Sequence, residues 1–254
     1  MAKQKAIVLK NAFCVAFSFL LFLFASSNTC TAYSEPGDSA ENPLLVKSLL
    51  DLECIIEDLK DGTDYCGKYF KLENDIYLSK GHGAIVWSFM DGIKDESKPF
   101  NGTFDGNNKS FICNIREFGE SETGSIFGTI GSMGTIKNLN IKGTINNKDN
   151  SVSTIANENY GTISNCKIKA SISSGKNAFA ICNKNYGTVE KCTVKENISA
   201  SGYCTGISHY NLGNINSCLV NIKLDNHLKA ETDNTLYSAG VSIFNTGKIT
   251  NTSA

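Results

Sequence analysis

Arginine occurs once, at Arg116, in a chain of 254 residues. Bidentate recognition of phosphates or bases therefore has almost no means, and with a formal net charge of −1 nucleic acid is not an expected partner. Tryptophan also occurs once, at Trp87, and proline three times, at Pro36, Pro43 and Pro99. The whole stretch from 100 to 254 lacks proline, so every backbone N–H in it is available to a ladder, as a chain of strands requires. Cysteine is plentiful, yet no two of the ten are separated by two residues, which excludes a zinc knuckle or a thioredoxin-like redox motif. His82, His209 and His227 have no Cys, Ser or acidic partner at catalytic spacing.

What is present begins with a leader. Lys3, Lys5 and Lys10 precede the apolar run "AFCVAFSFLLFLFA" (12–25), and small residues follow it. That is the layout of a signal peptide, and the run falls short of the roughly 20 residues of a membrane-spanning helix. Cleavage after Ala32, or earlier after Ser27, predicts a secreted or cell-surface protein without a transmembrane segment in the mature chain. Loss of the three lysines takes the net charge to about −4.

Residues 33–43 are polar with two prolines and read as a linker. The segment 44–123 reads as a cap followed by the first turns of an array. Apolar residues from Leu45 to Leu59 fall on one helical face, and Gly62 sits where a stop belongs. "YFKLENDIYLS" (69–79) alternates as a strand with a kink near Asn74, and 80–99 reads as a loop around Trp87. "FNGTFDGNNKSFICNI" reads as strand, turn and strand, with "DGNN" (105–108) as the turn.

From 124 to 254 the chain repeats at about 26 residues, aligned on Gly134, Gly161, Gly187, Gly213 and Gly247. Two residues after each glycine stand Ile136, Ile163, Val189, Ile215 and Ile249. At plus five come Leu139, Cys166, Cys192, Cys218 and Thr252, at plus seven Ile141, Ile168, Val194 and Val220, and at plus eleven Ile145, Ile172, Ile198 and Leu224. The repeat is poor in helix formers and alternates inside and out, so strands fill it. Short strands linked by Gly and Asn bends predict an all-β, right-handed parallel β-helix with an N-terminal capping α-helix. The column Asn159, Asn185, Asn211 and Asn245 predicts an inward amide ladder at a bend. Cys166, Cys192 and Cys218 read as buried core thiols.

These repeats resemble the GLUG motif of bacterial surface proteins, in which Gly-Leu-Val-Gly is followed by Asn, Gly, Ile, Asn-Cys and an aliphatic residue. "IANENYGTISNC" (155–166) and "ICNKNYGTVEKC" (181–192) carry the second half, while the first is reduced to "STIA", "AFAIC", "TGIS" and "AGVS". The segment upstream looks like the opening of secreted β-helix proteins that carry such repeats, and the resemblance covers about 44–254. It implies an adhesin-like protein. The helix then has a purpose, because an open β-helix end exposes unpaired backbone groups. Cys54 on it and Cys66 after it either form a disulfide that fastens the cap or remain two thiols.

The expected function is non-catalytic contact with an extracellular glycan or protein surface, with no cofactor and no bound metal. Parallel β-helices also host polysaccharide lyases and hydrolases, which is the alternative; a structural spacer of a larger surface protein, continuing beyond 254, is another. The enzyme alternative needs acids converging on adjacent turns, and the column Glu158, Lys184, Tyr210 and Phe244 stacks no two. Asp91, Asp95 and Glu96 near Trp87 read as a polar surface loop. "DGNN" lacks the spaced ligands of a calcium loop. The outward column Lys142, Lys169 and Lys195 is the candidate polyanion-binding feature, against solubilising lysines that discourage edge pairing.

Overall fold

The computed structural model describes residues 36–79, 99–115, 123–226 and 238–254, all within one compact unit, 36–254. The leader, Trp87 with Asp91, Asp95 and Glu96, and His82 and His227 lie outside the described residues.

The chain winds into a parallel β-helix of about six turns with four sheets running along it. Sheet I contains β1 (Leu44–Val46), β2 (Tyr69–Leu72), β4 (Thr103–Asp105), β8 (Thr135–Lys137), β12 (Thr162–Ser164), β16 (Thr188–Glu190), β20 (Asn214–Asn216) and β24 (Lys248–Thr250). Sheet II, with the longest strands, contains β3 (Ile76–Ser79), β5 (Ser110–Ile115), β9 (Asn140–Asn147), β13 (Lys167–Ser174), β17 (Thr193–Ala200) and β21 (Leu219–Asn226). Sheet III stacks β6 (Thr123–Gly124), β10 (Ser151–Ser153), β14 (Ala178–Phe179), β18 (Cys204–Thr205) and β22 (Ser238–Ala239). Sheet IV stacks β7 (Thr129–Ile130), β11 (Ala156–Asn159), β15 (Cys182–Asn185), β19 (Ser208–Asn211) and β23 (Ser242–Asn245). A turn visits them in the order I, II, III, IV.

Register follows the glycine alignment: Ile136, Ile163, Val189, Ile215 and Ile249 pair in succession along sheet I, and Ile141, Ile168, Val194 and Val220 along sheet II. These residues are fully or almost fully buried except Ile249 in the last turn. Each buried aliphatic contributes about 1.5–3 kcal/mol of transfer free energy, so every turn is anchored through several columns at once. Phenylalanines fill the first turns instead: Phe104 meets Phe127 edge-on at 5.3 Å, and Tyr65 meets Phe70 at 4.9 Å.

The cap differs from the expected 45–60 helix. Leu44–Val46 is a strand paired to β2, and the helix α1 runs Leu49–Lys60. Its start is a capping box: Asp51 Oδ2 accepts from the Ser48 N–H at 2.9 Å, and the Asp51 N–H donates to Ser48 Oγ. The apolar face of Leu52, Ile55, Ile56 and Leu59 joins the core, and Gly62, at φ 93°, reverses the chain. The described part of the 33–43 linker is also folded onto the solenoid, where the Gly37 carbonyl accepts the Tyr69 N–H at 2.8 Å.

Two further expectations are corrected by one device. Residues 69–79 form not one kinked strand but β2 and β3 in different sheets, and "DGNN" joins β4 to β5 as a corner between sheets rather than a hairpin. The same corner recurs four residues after each repeat glycine, at Asn138, Asn165, Lys191, Ser217 and Asn251, all with φ between 48° and 54°. Left-handed backbone suits asparagine, and turns sheet I into sheet II.

The repeat glycines themselves act by close approach. A Cβ on Gly161, Gly187, Gly213 or Gly247 would collide with the carbonyl oxygen of the glycine one turn before. That oxygen is occupied: Gly161 O accepts the Thr188 N–H at 2.8 Å, and Gly187 O accepts the Asn214 N–H at 2.8 Å.

Candidate functional site

The asparagine column is a continuous amide ladder. Asn159 Nδ2 donates to Asn185 Oδ1 at 2.8 Å, Asn185 to Asn211 at 2.8 Å, and Asn211 to Asn245 at 2.7 Å. Each rung also serves the bend: Asn159 O accepts the N–H groups of both Tyr186 and Gly187. The ladder begins at Asn159, opposite the aliphatic Ile130, and Asn159 Oδ1 there has no hydrogen-bond partner. This column holds turns together, with Asn159, Asn185 and Asn211 fully buried.

Cys166, Cys192 and Cys218 form the expected buried file, each Sγ within 3.3–3.4 Å of the carbonyl two residues before it. Hydrogen bonding to the neighbouring thiol and burial drive the Cys192 and Cys218 thiols far above their ordinary range. Burial alone pushes Cys113 up to about 12. Thiols held protonated are neither nucleophiles nor metal ligands at neutral pH. No disulfide joins Cys54 to Cys66; Cys66 is exposed, with its N–H on Asp64 Oδ1 at 2.9 Å. Packing of the α1 core face holds the cap in its place.

The outward face of sheet II carries Lys142, Lys167, Lys169, Lys195 and Lys223, all exposed, and none forms an ion pair among the described residues. Lys169 stands directly opposite Lys142. The third lysine of the expected column keeps the 26-residue register but not the ladder pairing. Between β13 and β17 the pairing stops after Ile168 and Val194 and resumes at Ile172 and Ile198, so Lys195 is not paired with Lys169.

Glu196 stands at the centre of this gap. Its register position is inward-facing, the place of buried Ala170 one turn earlier and of Gly143 two turns earlier. A carboxylate in the core costs several kcal/mol. The backbone instead adopts φ 104° at Glu196, matching φ 100° at Gly143, and Lys195, Glu196 and Asn197 all become exposed. Such backbone in a non-glycine residue costs about 1–3 kcal/mol, less than burial of the charge. The result is a carboxylate set among lysines.

Sheet IV carries a second outward surface that column reading missed. Tyr160 and Tyr186 stack at 4.6 Å with planes 4° apart, and Tyr210 stacks on Phe244 at 4.9 Å. Glu158 is buried beside them, bound by Lys184 Nζ at 2.6 Å and by the Tyr160 hydroxyl at 2.9 Å. Alongside runs a second polar ladder: Asn183 Nδ2 donates to Asn157 Oδ1 at 3.0 Å, and Asn183 Oδ1 meets His209 Nδ1 at 3.3 Å. His209 is sandwiched near Phe179 and Tyr203, and burial pulls its imidazole down to about 4. Recurrence of Tyr in the "NYG" strings was the available signal for the tyrosine stack.

No metal-binding group of three or more His, Cys, Asp or Glu occurs among the described residues, and no helix among them is long and apolar enough to cross a membrane. No family model, curated protein or solved structure matches the chain.

Proposed function

We propose that this protein is an exported, non-catalytic β-helix that binds an acidic polysaccharide along the outward face of sheet II. The observation that carries the reading is the Lys142–Lys169 pair, directly opposed and in no ion pair among the described residues, with Lys167, Lys195 and Lys223 on the same face. Like charges directly opposite destabilise a sheet, and an anionic chain laid along the solenoid relieves that repulsion at each strand spacing of about 4.8 Å. Lysine is a hydrated point charge, suited to the scattered carboxylates of a flexible glycan rather than to forked contacts with phosphate. The likeness of the repeats to the GLUG motif accords with a bacterial, adhesin-like surface protein, and the leader with export.

A lyase or hydrolase needs free acids in concert, whereas the Glu158 carboxylate is committed to Lys184 and Tyr160. The reading is tested by retention on immobilised polygalacturonate. Three phosphate-like contacts weaken binding roughly 30-fold between 50 and 200 mM salt, so elution moves steeply with salt. Substitution of Lys142, Lys169 and Lys195 by Ser abolishes retention; unchanged elution sinks the proposal, as does release of unsaturated fragments from the polymer.

A further inference from the structure

Of the eleven exposed large hydrophobic residues among the described residues, six lie on one edge of the solenoid, where sheet IV turns into sheet I: Met133, Tyr160, Tyr186, Tyr210, Leu212 and Phe244. Tyr160, Tyr186 and Leu212 each directly follow a rung of the asparagine ladder, so they stack in file, and Tyr210 and Phe244 occupy the neighbouring outward column. Solvated β surfaces scatter such residues singly; a contiguous file marks a contact surface.

The ring geometry selects the partner. In both stacks the ring planes are nearly parallel, 4° and 15° apart, so the faces are turned toward one another along the axis. A pyranose needs an open ring face; this ridge offers edges, which suits a protein surface.

Charge selects further. The chain has 24 basic and 25 acidic side chains, yet the columns flanking the ridge are Thr162, Thr188 and Asn214 on one side, with Lys248 only at the last turn, and Asn157, Asn183 and His209 on the other. His209 is neutral at pH 7, with its imidazole at about 4, and the Glu158 charge is cancelled by Lys184. Along Tyr160, Tyr186 and Leu212 the strip has no net charge of either sign, which suits a two-fold contact because each copy meets its own surface, and antiparallel packing keeps the two Lys248 side chains at opposite ends.

Area agrees. The six exposures run from 38% to 66%; at about 200 Å² per side chain they leave roughly 550 Å² per copy. Two copies then bury about 1,100 Å² before the flanking polar columns are added, above the roughly 1,000 Å² of a specific interface.

We infer that the ridge is a self-association surface, on which a second copy packs antiparallel with Tyr186 and Leu212 at the two-fold. The lysine face of sheet II stays open in such a dimer, so this inference stands apart from the polysaccharide reading.

The test is sedimentation velocity of the full chain under reductant, since Cys66 is exposed. The expected result is a dimer at micromolar concentration, weakened at least tenfold by Tyr186→Lys with Leu212→Lys and unchanged by Tyr77→Lys, a more exposed site off the ridge. A monomer up to about 100 µM, or a dimer indifferent to the ridge substitutions, overturns it. Hydroxyl-radical labelling of the unsubstituted protein gives a second reading that no folding defect can confound. Tyr160, Tyr186 and Tyr210 become protected as concentration rises; labelling independent of concentration also overturns the inference.

Discussion

Replacing Glu196 should make the protein more stable. The backbone at 196 takes φ 104° while staying in β17, paired to Ile222, because a carboxylate cannot occupy the inward position that Ala170 fills with a buried methyl group one turn before. In Glu196→Ala no charge keeps this backbone at positive φ. The strand can pair with β13 without a gap, relieving about 1–3 kcal/mol of backbone strain and restoring pairing of 169–171 with 195–197. Glu196→Gly relieves the same strain in place, as Gly143 does, but loses about 0.5–1 kcal/mol to the greater freedom of glycine when unfolded. Glu196→Gln keeps a polar group that cannot be buried and should change little. At about 2–4 °C per kcal/mol for a chain of this size, the melting temperature rises by roughly 3–10 °C for Ala, less for Gly, and hardly for Gln. Thermal unfolding followed by circular dichroism reads all three. A lower melting temperature for Glu196→Ala, or a Gln variant as stabilised as the Ala variant, would refute the reasoning.

Other outcomes follow from the same geometry. Asn185→Leu removes an inner rung, leaving Asn211 Oδ1 without its donor and Asn159 Nδ2 with only the Thr188 carbonyl; a loss of about 2–4 kcal/mol in denaturant unfolding is expected, and a change below 0.5 kcal/mol contradicts a structural ladder. Gly187→Ala forces a methyl group onto the Gly161 carbonyl and should cost at least 2 kcal/mol, by order of magnitude, although no φ at this position demands glycine. His209 binds a proton near pH 6.5 when unfolded and only near pH 4 when folded, so it contributes stability above pH 6.5 that is lost as pH falls toward 4. The melting temperature of His209→Gln should therefore fall less than that of the parent between pH 6.5 and 4; parallel curves would remove the assignment.

The core was legible because its columns repeat: Ile163, Cys166, Ile168 and Ile172 return one turn later in the same chemical character, and alternation tells inside from outside. The bends were less so. Gly161 looked like a conformational hinge, but the left-handed residue is Asn165, and the glycine is required by the carbonyl packed against it. Leu44–Val46 continued the apolar spacing of α1 and so looked helical; the capping box at Ser48 and Asp51 was the local sign that the helix begins later. Lys142, Lys169 and Lys195 form one column by counting; the gap in ladder pairing between Lys169 and Lys195, beside an acid at an inward position, was not legible in the spacing. The ridge escaped because it combines two outward columns across a corner, a juxtaposition that appears only once the turns are stacked.

The lysine face of sheet II is the proposed polysaccharide-binding surface. Lysine acetylation read by mass spectrometry, with and without polygalacturonate at low salt, tests it in the unsubstituted protein. Protection of Lys142, Lys167, Lys169 and Lys195, with Lys148 and Lys248 labelled as before, is the predicted result; equal labelling of all six in the presence of the polymer would contradict it.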